Sequence, residues 1–283
     1  MTNSIGFVVD GLGWALLHSL WQIAAISGVA WIALRVIPER QPGARFAVAY
    51  GAMVASLAAF AITLLSYLGA SAPGAAASDT AAIFVPPPKT LVDWLAQSTW
   101  AVSALWSLGF AALSIRYVRA LRETWRLRNH GVLPVPEFWE RNFALWAARV
   151  GVDRGTTIRQ TPHVSSPVTI GALRPIVLVP IGFFLHLPRE QAEAILLHEL
   201  AHICRQDYLL GLIEEVIKAV FFYHPCIFWL SRQVDAEREY ACDEFVLAET
   251  GDARALAQGL GRIAVGSQAR EAGFAMAATG GPI

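Results

Sequence analysis

The stretch Gly11–Leu34, GLGWALLHSLWQIAAISGVAWIAL, contains no charged residue. A helix needs about 20 apolar residues to cross a bilayer core, so this run is long enough to span one. Phe46–Ala70 and Trp94–Ile115 are two more uncharged runs of that kind. Trp14, Trp31, Trp94 and Trp100 stand toward the ends of these runs, where indoles meet the membrane–water interface. The whole chain agrees: it is 55% hydrophobic and only 16% charged, where soluble domains carry about 25% charged residues. No Lys or Arg precedes Arg35, so the first run is not a secretory signal. The formal net charge is zero, which removes any global attraction to nucleic acid, and no direct nucleic-acid binding is expected. Three cysteines, Cys204, Cys226 and Cys242, without close spacing do not form a disulfide framework and fit a reducing compartment.

Positive charge orients the spans. Arg35, Arg40 and Arg45 fill the first connection, and Arg116, Arg119, Arg122, Arg126 and Arg128 follow the third span. The N-terminus has no basic residue before the first span, and the Ala/Pro-rich loop Ser71–Asp93 has only Lys89. Both asymmetries put the N-terminus and that loop outside and everything after Arg116 in the cytoplasm. The expected organisation is a membrane domain of three transmembrane helices over residues 1–116 and a cytoplasmic domain over 117–283. Within the spans, His18 and Gln22 share a helix face and read as interhelical hydrogen-bonding groups, and Gly51 and Ala55 read as a close-packing pair. The basic stretch RYVRALRETWRLR (Arg116–Arg128) continues the third span as a helix beside lipid headgroups.

In the cytoplasmic part, Pro136–Val150 has helical spacing, with Phe138, Phe143 and Trp146 as its apolar stripe. Thr156–Arg159, Pro167–Gly171 and Pro175–Pro180 are short, rich in Val, Ile and Thr, and bounded by Gly and Pro, which predicts strands of a small sheet. Pro188 opens a helix that runs through Ile203. Tyr208–Leu230 carries Glu214, Glu215 and Lys218 and is too interrupted for a full span. It reads as a membrane-associated helical segment near 209–230 with a bend at His224-Pro225. Ser231–Thr250 is a helix closed by Gly251.

The chemistry lies in LLHELAHICRQD, Leu196–Asp207. His198 and His202 are one helical turn apart, so both imidazoles point to one side and can grip one zinc ion. Glu199, beside the first histidine, reaches a water rather than the ion and serves as general base. Catalytic zinc takes three protein ligands and leaves one position open. The variant with a histidine six residues on is excluded, because Arg205 and Tyr208 stand where it needs glycine and histidine. Glu239, in EREYACDEF, is the best third ligand; Asp243, His224 and Cys242 compete with it. Asp243 lies one turn beyond Glu239 on the same face, suited to hold the outer nitrogen of a ligating histidine.

LLHELAHICRQDYL, FFYHPCIFWLSRQ and AEREYACDEFVL, in that order, resemble the membrane-bound metallopeptidases of the BlaR/MecR antibiotic-sensor type. SSPVTIGALRPIVLVP resembles the strand segment that precedes the zinc helix in that family, and the likeness reaches back to LLHSLWQ near the start. The resemblance implies a multi-span α-helical membrane protein with a mainly α, α+β, gluzincin-like zinc metalloprotease domain that contains a small β-sheet. It implies one Zn2+ per chain on His198, His202 and Glu239, with Glu199 catalytic, in the cell (inner) membrane. It implies a protein substrate, a transcriptional repressor or the chain itself. It also suggests that an edge strand holds an extended substrate, for which Val168, Thr169, Ile170 and Gly171 are the candidates. Arg238 is a candidate for stabilising the oxyanion, set against an ordinary ion-pair role. The sensor members continue into a further span and an extracellular penicillin-binding domain. The sequence stops at FAMAATGGPI, before either, so the β-lactam signal is not expected to carry over, and the chain is expected to be either a truncated member or one whose signal enters elsewhere. The alternative reading is a non-catalytic membrane signal transducer on a protease fold.

Overall fold

The computed structural model describes residues 2–69, 91–152, 155–252 and 254–263. Most of the Ser71–Asp93 loop with its Lys89, and the final FAMAATGGPI, lie outside the described residues. The chain divides into two compact units, residues 1–116 with 216–234, and residues 117–215 with 235–283.

The first unit is built on α1 (Thr2–Val36), α2 (Pro42–Gly69) and the N-terminal part of α3 (Leu91–Asn129). Among the described residues, three helices are long and apolar enough to cross a membrane, over Gly6–Val36, Pro42–Gly69 and Ser98–Asn129. Pro38 stops α1, since proline disfavours helix in the residue before it. Arg45 donates from Nη1 to the carbonyls of Leu34 (2.7 Å) and Ile37 (3.1 Å), closing the end of the helix. Between α1 and α2, Ile23, Met53 and Phe60 are buried beside the small residues Ala15, Ala49 and Ala52. The other sides of the spans carry bulky apolar residues, among them Trp21, Ile32, Ile62, Leu65, Trp100 and Leu105. Such a surface is costly in water and suits lipid.

The polar groups of this unit tie helices together. His18 Nε2 lies 3.0 Å from the Tyr67 hydroxyl, and Gln22 donates to Thr63 (2.9 Å). Both link α1 to α2, as the helix-face argument expects. Close packing falls elsewhere than Gly51 and Ala55, which are exposed, with nothing within 4 Å of a Cβ at Gly51. At Gly13, by contrast, a Cβ would meet Thr99 backbone at 2.7 Å, so α3 passes directly over that glycine. Residues 216–234 belong to this unit as well: Ile217, Phe221, Ile227, Leu230 and Val234 are buried among the span residues. They form the end of α7 (Asp207–Val220), a turn, and the start of α8 (Pro225–Thr250). The bend thus lies at His224-Pro225, and the helix expected from Ser231 begins earlier, at Pro225, a favoured first position.

The second unit holds α4 (Glu137–Arg149), strands β1 (Thr157–Thr161), β2 (Val168–Ile170) and β3 (Ile176–Pro180), the short α5 (Phe183–His186), α6 (Arg189–Cys204), and a last helical stretch over 254–263. The sheet order is β1-β3-β2, with β1 parallel and β2 antiparallel to β3. β3, reading IVLVP, is buried along its whole length, as a central strand should be. The buried stripe of α4 is Trp139, Phe143 and Ala147, while Phe138 is exposed. The expected stripe was one residue out of phase at its start, because two adjacent aromatics offer two phases. α6 is apolar around most of its circumference and is buried on nearly all sides, among Trp139, Phe143, Val177, Val179 and Val246. Gly251 ends α8 in the left-handed region (φ 68°), donating to Leu247 (2.8 Å).

Candidate active site

Burial fixes the rotation of α6, and that rotation aims His198 and His202 at one point. Their Nε2 atoms are 3.2 Å apart. α8 brings Glu239 to the same point: its Oε2 lies 3.4 Å from His198 Nε2 and its Oε1 3.9 Å from His202 Nε2. Two ligands about 2.05 Å from a tetrahedral zinc stand about 3.3 Å from each other, by simple geometry. The observed separations fit that requirement with little adjustment. His198 and Glu199 are buried, whereas the Glu239 side chain is 58% exposed, so the group is open on one side.

The outer nitrogens are also met by carboxylates. Asp243 Oδ1 lies 3.1 Å from His198 Nδ1, close enough for an ion pair but bent away from hydrogen-bond alignment; both atoms are buried and otherwise unpartnered. Asp207 Oδ2 lies 2.9 Å from His202 Nδ1. A carboxylate at Nδ1 selects the tautomer with its proton there and leaves the Nε2 lone pair for a metal. Asp207 escapes a sequence reading because five residues from His202 is not a helical spacing. Its approach depends on Gln206, which turns the chain through a left-handed conformation (φ 58°) between α6 and α7. Cys242 is buried with Sγ 3.3 Å from His202 Nδ1 and 3.7 Å from Asp207 Oδ2, on the side away from Nε2. Burial and the neighbouring Asp207 push its thiol pKa strongly upward, which disfavours a thiolate ligand.

Four carboxylates surrounding two imidazoles could hold a cation. Burial weakens the charged form of His198, but Asp243, Glu239 and Glu199 outweigh it and raise its pKa to about 9. The same contact with His198 holds the Glu239 carboxyl below its ordinary range. A proton and a divalent ion would therefore compete for His198.

Glu199 is set by a neighbour in the sheet: Thr169 Oγ1 donates to Glu199 Oε2 at 2.7 Å. Val168, Thr169 and Ile170 form β2, an edge strand among the described residues. Gly171 follows at φ 99°, and a Cβ there would press against the Arg128 guanidinium and lie 3.1 Å from the Arg174 carbonyl. Arg238 is engaged in ion pairs, with Glu214 (2.8 Å) and Asp235 (2.9 Å), and its Nε lies 4.0 Å from Asp207 Oδ1. His224 Nε2 donates to the Leu20 carbonyl (3.0 Å) within the first unit and is not part of this cluster. The three cysteines are free thiols.

Membrane-length helices, together with two histidines and acidic groups that could hold a metal ion, are the features of a membrane-associated metalloprotein. The chain belongs to the BlaR1 peptidase M56 family, which it matches over residues 18–277. It is 31% identical over 90 residues to the regulatory protein BlaR1 of Bacillus licheniformis, covering 32% of this chain and 15% of that protein. To the regulatory protein BlaR1 of Staphylococcus aureus it is 28% identical over 94 residues, 33% of this chain and 16% of that one. It is 25% identical over 91 residues to the methicillin resistance mecR1 protein of Staphylococcus aureus (strain Mu50 / ATCC 700699), 32% of this chain and 16% of that protein. The matched stretch thus spans about a sixth of each relative's length.

Proposed function

We propose that this chain is a zinc-dependent endopeptidase of the cell membrane that cleaves a regulatory protein, a transcriptional repressor or itself, with its active site on the cytoplasmic side. The observation that carries the reading is the spacing of His198, His202 and Glu239, which suits three ligands of one tetrahedral ion, with a second carboxylate, Glu199, next to His198 in the chain. One Zn2+ per chain would sit on these three residues and would acidify a water and polarise a scissile carbonyl. Glu199 takes the proton of the attacking water and passes it to the leaving amine as the peptide C–N bond breaks. Asp243 and Asp207 orient His198 and His202 through their Nδ1 atoms. Val168–Gly171 holds the substrate as an added strand by main-chain hydrogen bonds.

The arginine asymmetry of the spans supports an outside N-terminus and a cytoplasmic domain over 117–283. A regulatory substrate fits the names of the relatives, a regulatory protein and a methicillin resistance protein. Arg238 is better suited to ion pairing than to the oxyanion, since Glu214 and Asp235 already occupy its guanidinium. The test is Glu199→Gln in the purified full chain, measured by cleavage of itself and of a quenched fluorescent peptide library. The variant should retain zinc and lose cleavage; cleavage at the wild-type rate would overturn the reading.

A further inference from the structure

β2 is three residues long, and its side chains alternate between two environments. Ile170 and its neighbour Val168 pack with Ile176, Leu178, Leu127 and Tyr208. Thr169, between them, points the other way, onto α6, where its hydroxyl meets the Glu199 carboxylate at 2.7 Å and the Glu199 carbonyl at 3.4 Å. The shorter contact is a hydrogen bond to a charged acceptor; the longer is at the limit of one. Nothing in the strand requires a hydroxyl here. Valine has the same shape and an equal or better preference for a pleated surface. The hydroxyl is therefore spent on Glu199 alone. Glutamate has three freely rotating side-chain torsions, and a general base loses much of its value when misplaced by about 1 Å. With Oε2 tied to Thr169, Oε1 is the oxygen left to take a proton.

The strand is itself fixed in place. Thr169 pairs with Val177 of β3, which is buried, and the chain leaves β2 through Gly171 in a conformation that side chains rarely adopt. The other edge of β2 has no strand partner among the described residues.

We propose that Thr169 is the positioning residue of the general base, so that β2 presents its free edge to the substrate main chain and its hydroxyl to Glu199. Resting on the endopeptidase reading above, this makes one strand set both the substrate's register and the orientation of the base. Substrate seated on β2 is then automatically in register with the oxygen that takes the proton.

The experiment compares Thr169→Val, Thr169→Ser and Glu199→Gln in the full chain, using a quenched fluorescent peptide that the wild type cleaves. The readouts are kcat, KM and zinc affinity by chelator competition. Thr169→Val should lower kcat roughly ten- to a hundredfold, with KM and zinc affinity held within about twofold. Thr169→Ser, which keeps the donor, should hold kcat within about threefold of wild type. If the valine variant does not fold, Thr169→Ala must show the same selective loss of kcat. The inference is overturned if kcat survives without the hydroxyl, if serine falls as far as valine, or if zinc affinity falls and KM rises together with the loss of kcat. Cleavage by Glu199→Gln at the wild-type rate would instead remove the endopeptidase reading, and this inference with it.

Discussion

Replacing Asp207 by asparagine should weaken zinc binding about ten- to a hundredfold, the usual consequence of losing a carboxylate behind a ligating histidine. The structure gives the reasons for expecting the full effect. Asp207 is buried, its Oδ2 lies 2.9 Å from His202 Nδ1, and Arg205 Nε lies 3.4 Å from the same oxygen. Its Oδ1 lies 4.0 Å from Arg238 Nε. Asparagine keeps the volume but loses the charge that strengthens the Nδ1–H bond and makes Nε2 the better donor to metal. Its amide can turn its oxygen to His202 only by aiming its NH2 toward Arg238, donor against donor. A ten- to hundredfold loss corresponds to about 1.4–2.7 kcal/mol. The assay is competition for zinc against a chromophoric chelator in detergent, with circular dichroism as the control for folding. A variant that stays folded and binds zinc within about twofold of wild type would refute the idea that Asp207 orients His202 for metal.

Arg238→Ala takes the guanidinium from buried Glu214 and should destabilise the second unit by about 3–5 kcal/mol, read as a lower Tm. Replacing Arg238 and Glu214 together by apolar residues should cost markedly less. With a chelator present, the metal-free protein should lose stability as pH rises through about 9, the His198 value. The sign follows from a folded pKa raised above about 6.5: the stabilisation is complete below that unfolded value and is lost as the imidazole deprotonates. A melting temperature that rises between pH 6.5 and 9 would contradict it. Zinc affinity should increase over the same range, because the ion must displace the His198 proton.

Much of this fold could be reached from residue order alone, because its strongest signals are local. Uncharged runs predicted the three membrane-length helices, and Gly and Pro bounded the three strands. The i,i+4 spacing put His198 and His202 on one face of α6, and the same rule put Glu239 and Asp243 together on α8. Partnerships that cross elements without a motif to mark them were not legible. Thr169 meets Glu199 across 30 residues through a sheet register that no local pattern encodes. Asp207 reaches His202 only because Gln206 takes a positive φ, which its sequence does not announce. Gly51 looked like a packing glycine by its spacing, but the contact belongs to Gly13, whose partner on α3 is distant in sequence. Helix phase failed at Phe138-Trp139, where two neighbouring aromatics make periodicity ambiguous.

The central claim is that one metal ion is held jointly by residues of α6 and α8. Its most direct test is the zinc content of the purified full chain, by atomic emission, beside His198→Ala, His202→Ala and Glu239→Ala. The account predicts one zinc per chain in the wild type and substantial loss in each variant. A wild type without zinc, or a Glu239→Ala variant that binds zinc as tightly as the wild type, would contradict it.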